Sequence, residues 1–188
     1  MHPFSYHRIT IIGTTGSGKT FLARKLSALI GIPLYSLDKL NSPGNDNLLN
    51  AGEFRDKVAH ITKGEQWIID GSYKIVQDVI WPKADLIIWL DYPLYRVLFR
   101  QALRVIRKSS REAGVEKSTV GDGNTRKKTV WEKLSSYVKL VVGTVRKHSR
   151  NRREYPLGFD RLGISASVVL HFKSPAETAK FLEAIQKN

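Results

Sequence analysis

A chain of 188 residues, 41% apolar and 26% charged, is long enough for one well-buried domain and cramped for two. It contains no cysteine, which excludes disulfides, thiolate metal sites and cysteine nucleophiles, and which suits the cytoplasm. The net charge of +14 sits mostly in one segment: residues 100–153 hold 16 Lys or Arg against 4 Asp or Glu, a concentrated positive field that draws phosphates, nucleic acid or lipid headgroups.

In chain order, Met1 to Arg8 has no signal-peptide layout, and no apolar run approaches the roughly 18 residues of a membrane span. Arg8 to Ile12 reads as a strand that Gly13 ends. From Gly18 to Ile30, Phe21, Leu22, Leu26, Leu29 and Ile30 recur at helical spacing, and Gly31 with Pro33 stops that helix. Leu34 to Leu37 is a second strand closed by Asp38, and Asn41 to Asn50 is a loop. Gly52 to Lys63 is a helix with Phe54, Val58 and Ile61 on one stripe. Trp67-Ile68-Ile69, ending at Asp70-Gly71, and Asp85 to Leu90 are unbroken apolar strands, the mark of a sheet covered on both faces.

Pro93 to Arg107 is helical, carrying Leu94, Val97, Leu98 and Val105 inward. Ser109 to Lys128 shows no period and reads as a mobile loop. Trp131, Leu134, Val138, Val141 and Val145 mark a further helix, and Ile164 to Phe172 supplies the last strand. Ser174-Pro175-Ala176-Glu177 has the cap, first-turn proline and capping-box glutamate of a helix start. Strand and helix alternate throughout, which predicts an α/β domain with a mostly parallel sheet.

Gly13-Thr14-Thr15-Gly16-Ser17-Gly18-Lys19-Thr20 matches G-x-x-x-x-G-K-[ST] without a mismatch. Glycines let backbone N–H groups turn inward around a phosphate, and the following helix aims its positive end at the same anion. Lys19 is expected to reach the β and γ phosphates of a nucleoside triphosphate, and the Thr20 hydroxyl to bind the accompanying Mg²⁺. An N-K-x-D guanine motif is absent, which argues against an ordinary GTPase. The five histidines show no metal spacing.

Three further pieces follow: Trp67 to Asp70, with a carboxylate at a strand end; Asp91-Tyr92-Pro93; and Arg100 with Arg104, four apart and so on one helix face. With Gly13 to Thr20, Ile32-Pro33, Leu37-Asp38, Trp67 to Tyr73 and Ala84 to Arg104, the chain resembles the topology-modulation (FlaR-like) proteins. These are a branch of the adenylate-kinase-like P-loop proteins, and the likeness covers about the first 105 residues well.

The resemblance implies a three-layer α/β/α P-loop fold of five parallel strands, a single domain over residues 1–188 with a basic helical lid at about 105–160. It implies ATP and Mg²⁺ as cofactors and a phosphotransferase activity. Asp70 would be the magnesium-side acid, Asp38 would face the acceptor, Arg100 would lie near base and ribose, and Arg104 near the phosphates in transfer. Adenylate kinases follow the Asp-Gly with Phe-Pro-Arg, where this chain has Ser72-Tyr73-Lys74, so AMP is not supported as acceptor. Arg55 resembles an acceptor-phosphate arginine but reads as a solvent-facing charge. Asp91 is expected to fix the turn into Pro93, and Lys173 with Ser174 could touch the base.

The clusters Arg126-Lys127-Lys128, Arg146-Lys147-His148 and Arg150-Asn151-Arg152-Arg153 exceed what phosphoryl transfer needs, which is two or three arginines. Nucleic acid is therefore a possible partner through residues 100–153. Trp131 and Tyr137 could stack on bases, although their spacing with Leu134 and Val138 favours core packing. Two readings stand: an ATP-binding kinase of an unidentified small-molecule acceptor carrying a hydroxyl or phosphate, and a P-loop ATPase or nucleotide-dependent regulator acting on nucleic acid or protein through the basic lid.

Overall fold

The computed structural model describes residues 5–42, 50–115 and 130–187, with 106–115, 130–134 and 136 described by backbone alone. Its centre is the set of unbroken apolar runs. Strands β1 (Arg8–Gly13), β2 (Leu34–Ser36), β3 (Trp67–Asp70), β4 (Leu86–Leu90) and β5 (Val169–Phe172) form one parallel sheet in the order β2-β3-β1-β4-β5. Side chains alternate between the two faces of a strand. Ile11, Ile68 and Ile88 therefore join one core cluster, and Ile12, Ile69 and Ile87 the other. All six are fully buried. Both faces are covered, which is why the strands carry no polar alternation.

Helices α1 (Lys19–Ile30) and α7 (Pro175–Gln186) and the start of α5 (Leu94–Val115) cover the first face through Leu22, Leu26, Phe181 and Val97. Helix α3 (Ala51–Ile61), the short α4 (Gln77–Ile80) and the second half of α6 (Val130–Arg161) cover the other through Phe54, Val58, Ile80, Tyr155 and Phe159. The expected cap of α7 is present: Ser174 Oγ accepts from Glu177 N–H, and Glu177 Oε2 accepts from Lys173 N–H.

Several expectations need correction. Asp38 lies in the first turn of α2 (Leu37–Asn41), two residues past the end of β2. Asn50 caps α3 by accepting from Glu53 N–H, so that helix starts before Gly52. Helix α5 runs on to Val115, because nothing from Ser109 to Ala113 breaks a helix. The loop expected beyond it, and the cluster Arg126 to Lys128, lie outside the described residues, as does most of Asn41 to Asn50. Residues 166–168 form a 3₁₀ turn, which shortens the last strand to Val169–Phe172.

The burial pattern departs too. Phe21, Val105 and Val138, all expected inward, are exposed. Helix α6 is 32 residues long and passes through Pro156. It meets the domain through Thr144, His148, Asn151, Tyr155 and Phe159, a face turned about 70° from the valine stripe at 138, 141 and 145. Flanking contacts hold it on both sides of the proline: Arg152 Nε donates to Asp91 Oδ1 at 2.7 Å, and Tyr155 and Phe159 pack on Trp81 with ring centroids 5.8 and 4.9 Å away.

Gly158 allows that approach, since a Cβ there would come within 2.8 Å of the buried Trp81 ring. Gly158→Val is expected to destabilise the fold by about 1–3 kcal/mol through overpacking. In a thermal melt that is a fall of several degrees; an unchanged melting temperature would remove α6 from the core.

Candidate active site

The sheet register sets the site. Ile11 of β1 pairs with Asp70 of β3, Ser36 of β2 pairs with the same Asp70, and Gly13 pairs with Leu90 of β4. The phosphate loop, Asp70, Asp91 and the start of α2 thus share the carboxyl edge of the sheet, where open α/β sheets bind ligands.

The loop itself is tightly enclosed. Gly13 and Gly16 have φ values of 145° and 88°, a region other residues rarely adopt. A Cβ on Gly13 would lie 2.5 Å from the Leu90 carbonyl oxygen, and one on Gly16 would lie 2.8 Å from the Gln101 side chain. Two helices grip the loop from outside. Gln101 Nε2 donates to the Thr15 carbonyl at 2.8 Å, while Thr144 of α6 donates to Gln101 Oε1 at 3.0 Å. His148 Nδ1 lies 3.3 Å from Thr14 Oγ1, and burial, with help from Arg152, holds its imidazole below the ordinary value. Arg100 Nη1 donates to the Ser17 carbonyl at 2.8 Å and lies over the Tyr92 ring. The Thr15 and Ser17 carbonyls are thus both taken up by side chains of α5.

Lys19 donates to the Thr14 carbonyl at 3.1 Å. Burial pushes its ammonium down to about 8, against the pull of Asp70 and Asp38, and Lys147 lowers it further. A bound polyanion would reverse that shift. Triphosphate binding is therefore expected to take up a proton above about pH 8, and affinity to fall as pH rises through that value. Calorimetry in two buffers of different ionisation enthalpy reads the uptake directly. Equal heats above pH 8 would mean that Lys19 does not meet the ligand.

Thr20 Oγ1 donates to Asp70 Oδ2 at 2.6 Å. Asp70 Oδ1 is buried without a partner, and burial raises the carboxyl's pKa. A hydroxyl beside a carboxylate with a spare buried oxygen is a hard-oxygen donor set that fits Mg²⁺ carried in with phosphates. Burial leaves the Asp70 carboxylate short of positive charge, which a cation would supply.

A cavity of about 280 Å³ brings Thr15, Gly16, Gly18, Lys19, Thr20, Asp70, Asp38, Arg100 and Arg104 together, with Tyr73 and Lys147 also in its wall. Tyr73 Oη donates to Asp38 Oδ1 at 2.8 Å; burial first, then Asp38, pushes that phenol up to about 12. On the far side of Arg100, a groove of about 660 Å³ runs between α1 and α7 past Phe21, Tyr92 and Pro175.

Other anticipated residues have different work. Arg55 is held by Asp78 through two bonds of 2.9 and 2.8 Å and also donates to the Ile75 carbonyl. Asp91 accepts from Arg152 and lies 3.1 Å from His171 Nε2, so it ties α6 and β5 to the sheet's end. The Ser174 hydroxyl and the Lys173 backbone N–H serve the α7 cap. Gln101, Thr144, Lys147 and His148 were missed as site residues. Gln101 is a lone polar residue on α5, and Thr144, Lys147 and His148 are polar positions of α6; they face a polar loop and so lack the usual apolar mark.

A five-stranded parallel sheet between helical layers, with the phosphate loop after its central strand, defines the P-loop α/β/α fold. No protein-family model matches the chain, and no curated protein matches it by sequence. Among solved structures it is similar to a shikimate kinase from Acinetobacter baumannii in complex with shikimate, at 14% identity and a TM-score of 0.50, over 98% of this chain and 95% of that one. A shikimate kinase from Bacteroides thetaiotaomicron is 11% identical with a TM-score of 0.48, over 97% and 98% of the two chains. A sugar kinase from Janibacter is 14% identical with a TM-score of 0.46, over 95% and 91%. At such identities the first likeness speaks for the fold alone.

Proposed function

We propose that this chain is a P-loop kinase that transfers the γ-phosphoryl group of ATP to a hydroxyl or phosphate oxygen of a small acceptor, a branch of the adenylate-kinase-like proteins close to the topology-modulation group. One observation carries the reading: the Asp38 carboxylate opens into the same cavity as Lys19 and the Thr20–Asp70 pair. A protein that only bound a triphosphate would have no need of an acidic group facing the γ position.

The amides of Gly13 to Lys19 bind the donor's phosphates, and the Lys19 ammonium neutralises the β and γ oxygens. Thr20 and Asp70 would hold Mg²⁺, which supplies charge neutralisation across the β and γ oxygens when bound. Asp38 accepts the acceptor's proton or orients its hydroxyl. Arg104 and Lys147 meet the charge that spreads over the transferring oxygens. Arg100 guides base and ribose toward the groove beside Tyr92 and Pro175. The insertion at about 105–160 serves as the lid of a single domain, anchored on the sheet at its carboxyl end by Tyr155 and Phe159, and the reaction belongs in the cytoplasm, where ATP and Mg²⁺ are available.

A second reading, an ATPase or regulator acting on a polymer or protein, draws support from Arg146, Arg150 and Arg153. These residues are exposed at i, i+4 and i+7 of α6, on a face other than the one against the loop. The separating experiment follows ATP turnover against a panel of hydroxylated and phosphorylated metabolites, and against DNA, RNA and proteins, at low and high salt. Stimulation by a metabolite supports the kinase. Salt-sensitive stimulation by polymer alone supports the regulator and sinks the first reading.

A further inference from the structure

Beside the phosphate site, α5 opens with two aromatic rings that have no place in the core. Tyr95 is 66% exposed and Phe99 64% exposed. They stand four residues apart on one face, and with Arg96 and Arg100 they line a single groove. Arg96 lies over the Tyr95 ring, 5.8 Å from its centroid, and its Nε donates to the Tyr95 hydroxyl at 3.1 Å. Arg100 lies on the border of this groove and of the phosphate cavity. From Tyr92 to Arg111 the sequence has no Asp or Glu at all, against Arg96, Arg100, Arg104, Arg107, Lys108 and Arg111.

We propose that this groove binds single-stranded nucleic acid, with bases stacked on Tyr95 and Phe99 and phosphates held by Arg96 and Arg100. Exposed rings cost free energy in water and accept any base, because every base has a π-face. Guanidinium groups at the next position along the helix meet the backbone between bases and release its counterions. The rings are about 6 Å apart along the helix axis. An unstacked strand can follow that spacing, whereas a duplex stepping about 3.4 Å per base cannot.

Charge separates this occupant from the others. A two-fold dimer would set the same carboxylate-free, cationic patch against itself. An interfacial helix would bury a continuous apolar face. Here Val97, between the rings in sequence, is buried in the core, and the rings share their groove with the guanidinium groups of Arg96 and Arg100. The proposal stands independently of phosphoryl transfer.

The test is fluorescence anisotropy with a labelled oligothymidylate of about 20 nucleotides, longer than single-strand site sizes, titrated with the full chain over a range of salt. The wild type is expected to bind at low salt and to lose affinity steeply as salt rises. The double variant Tyr95→Ala/Phe99→Ala is expected to lose at least about tenfold at every salt concentration with the salt slope unchanged. Arg96→Gln is expected to weaken binding and flatten the slope by about one contact. Both variants should keep the wild-type melting temperature and ATP affinity. The proposal is overturned by no oligonucleotide binding at low salt, by ring variants that bind like wild type, by equal affinity for a duplex of the same length, or by ring-dependent binding to phosphatidylserine vesicles alone.

Discussion

Lys19→Ala is expected to weaken ATP binding about a hundredfold and to lower turnover by about 10²–10³-fold or more, while leaving the fold intact. The ammonium shares the cavity with Asp70 and Asp38, and it is the only group of the loop that carries a full positive charge. Its own environment argues that it is held for a ligand: burial pushes it down to about 8, and one protein carbonyl, that of Thr14, is its hydrogen-bond partner. A group kept desolvated at a cost to its charged state binds an anion more strongly than one in water. Since the charge is costly in the free protein, its removal is expected to leave the melting temperature unchanged or raised. Intact turnover in the variant would remove this loop from the reaction.

Asp38→Asn is expected to cut phosphoryl transfer by about 10²–10⁴-fold, the range of a positioned base, while the dissociation constant for ATP changes less than about threefold. Asparagine keeps an oxygen able to accept from Tyr73, so the geometry survives and the charge alone is lost. The change has an optical signature. Tyr73 is pushed up to about 12 by burial and by Asp38. Without the carboxylate its ionisation should move back toward the usual tyrosine range near 10, visible in alkaline ultraviolet difference spectra. A variant that loses ATP binding and transfer together would make Asp38 part of the donor site instead. A Tyr73 titration that stays put would show that the two side chains are apart in solution.

The sequence was most legible where chemistry forces a residue type. A phosphate loop needs its glycines, a sheet with two covered faces needs unbroken apolar strands, and a helix such as α7 announces its start with Ser174 and Glu177. Burial was less legible. Phe21 and Val138 lie on apolar stripes that helical spacing turns inward, yet Phe21 borders two cavities and Val138 lies on a part of α6 that the described domain does not cover. Long-range polar contacts were least legible. Gln101 and His148 reach the loop from 86 and 134 residues away, and Thr144 supports Gln101 from 43 residues away, in contacts no local pattern encodes; a helix face built to meet a polar loop reads as solvent-exposed. Pro156 lies inside α6, where a proline removes a helix hydrogen bond; Arg152 with Asp91 before it and Phe159 with Trp81 after it hold the helix in place.

The division of labour within the basic segment follows from the same geometry. Lys147 and His148 turn to the phosphate loop, Arg152 is spent on Asp91, and Arg146, Arg150 and Arg153 remain in solvent. Excess charge thus has two destinations, one local to the cavity and one on the surface.

Isothermal titration of the full chain with ATP and excess Mg²⁺, repeated above pH 8 in two buffers of different ionisation enthalpy, reaches the central claim most directly. The geometry predicts saturable one-site binding whose heat depends on the buffer, with proton uptake that vanishes in Lys19→Ala. A flat titration of the wild type, or binding that the Lys19 variant reproduces unchanged, would contradict it.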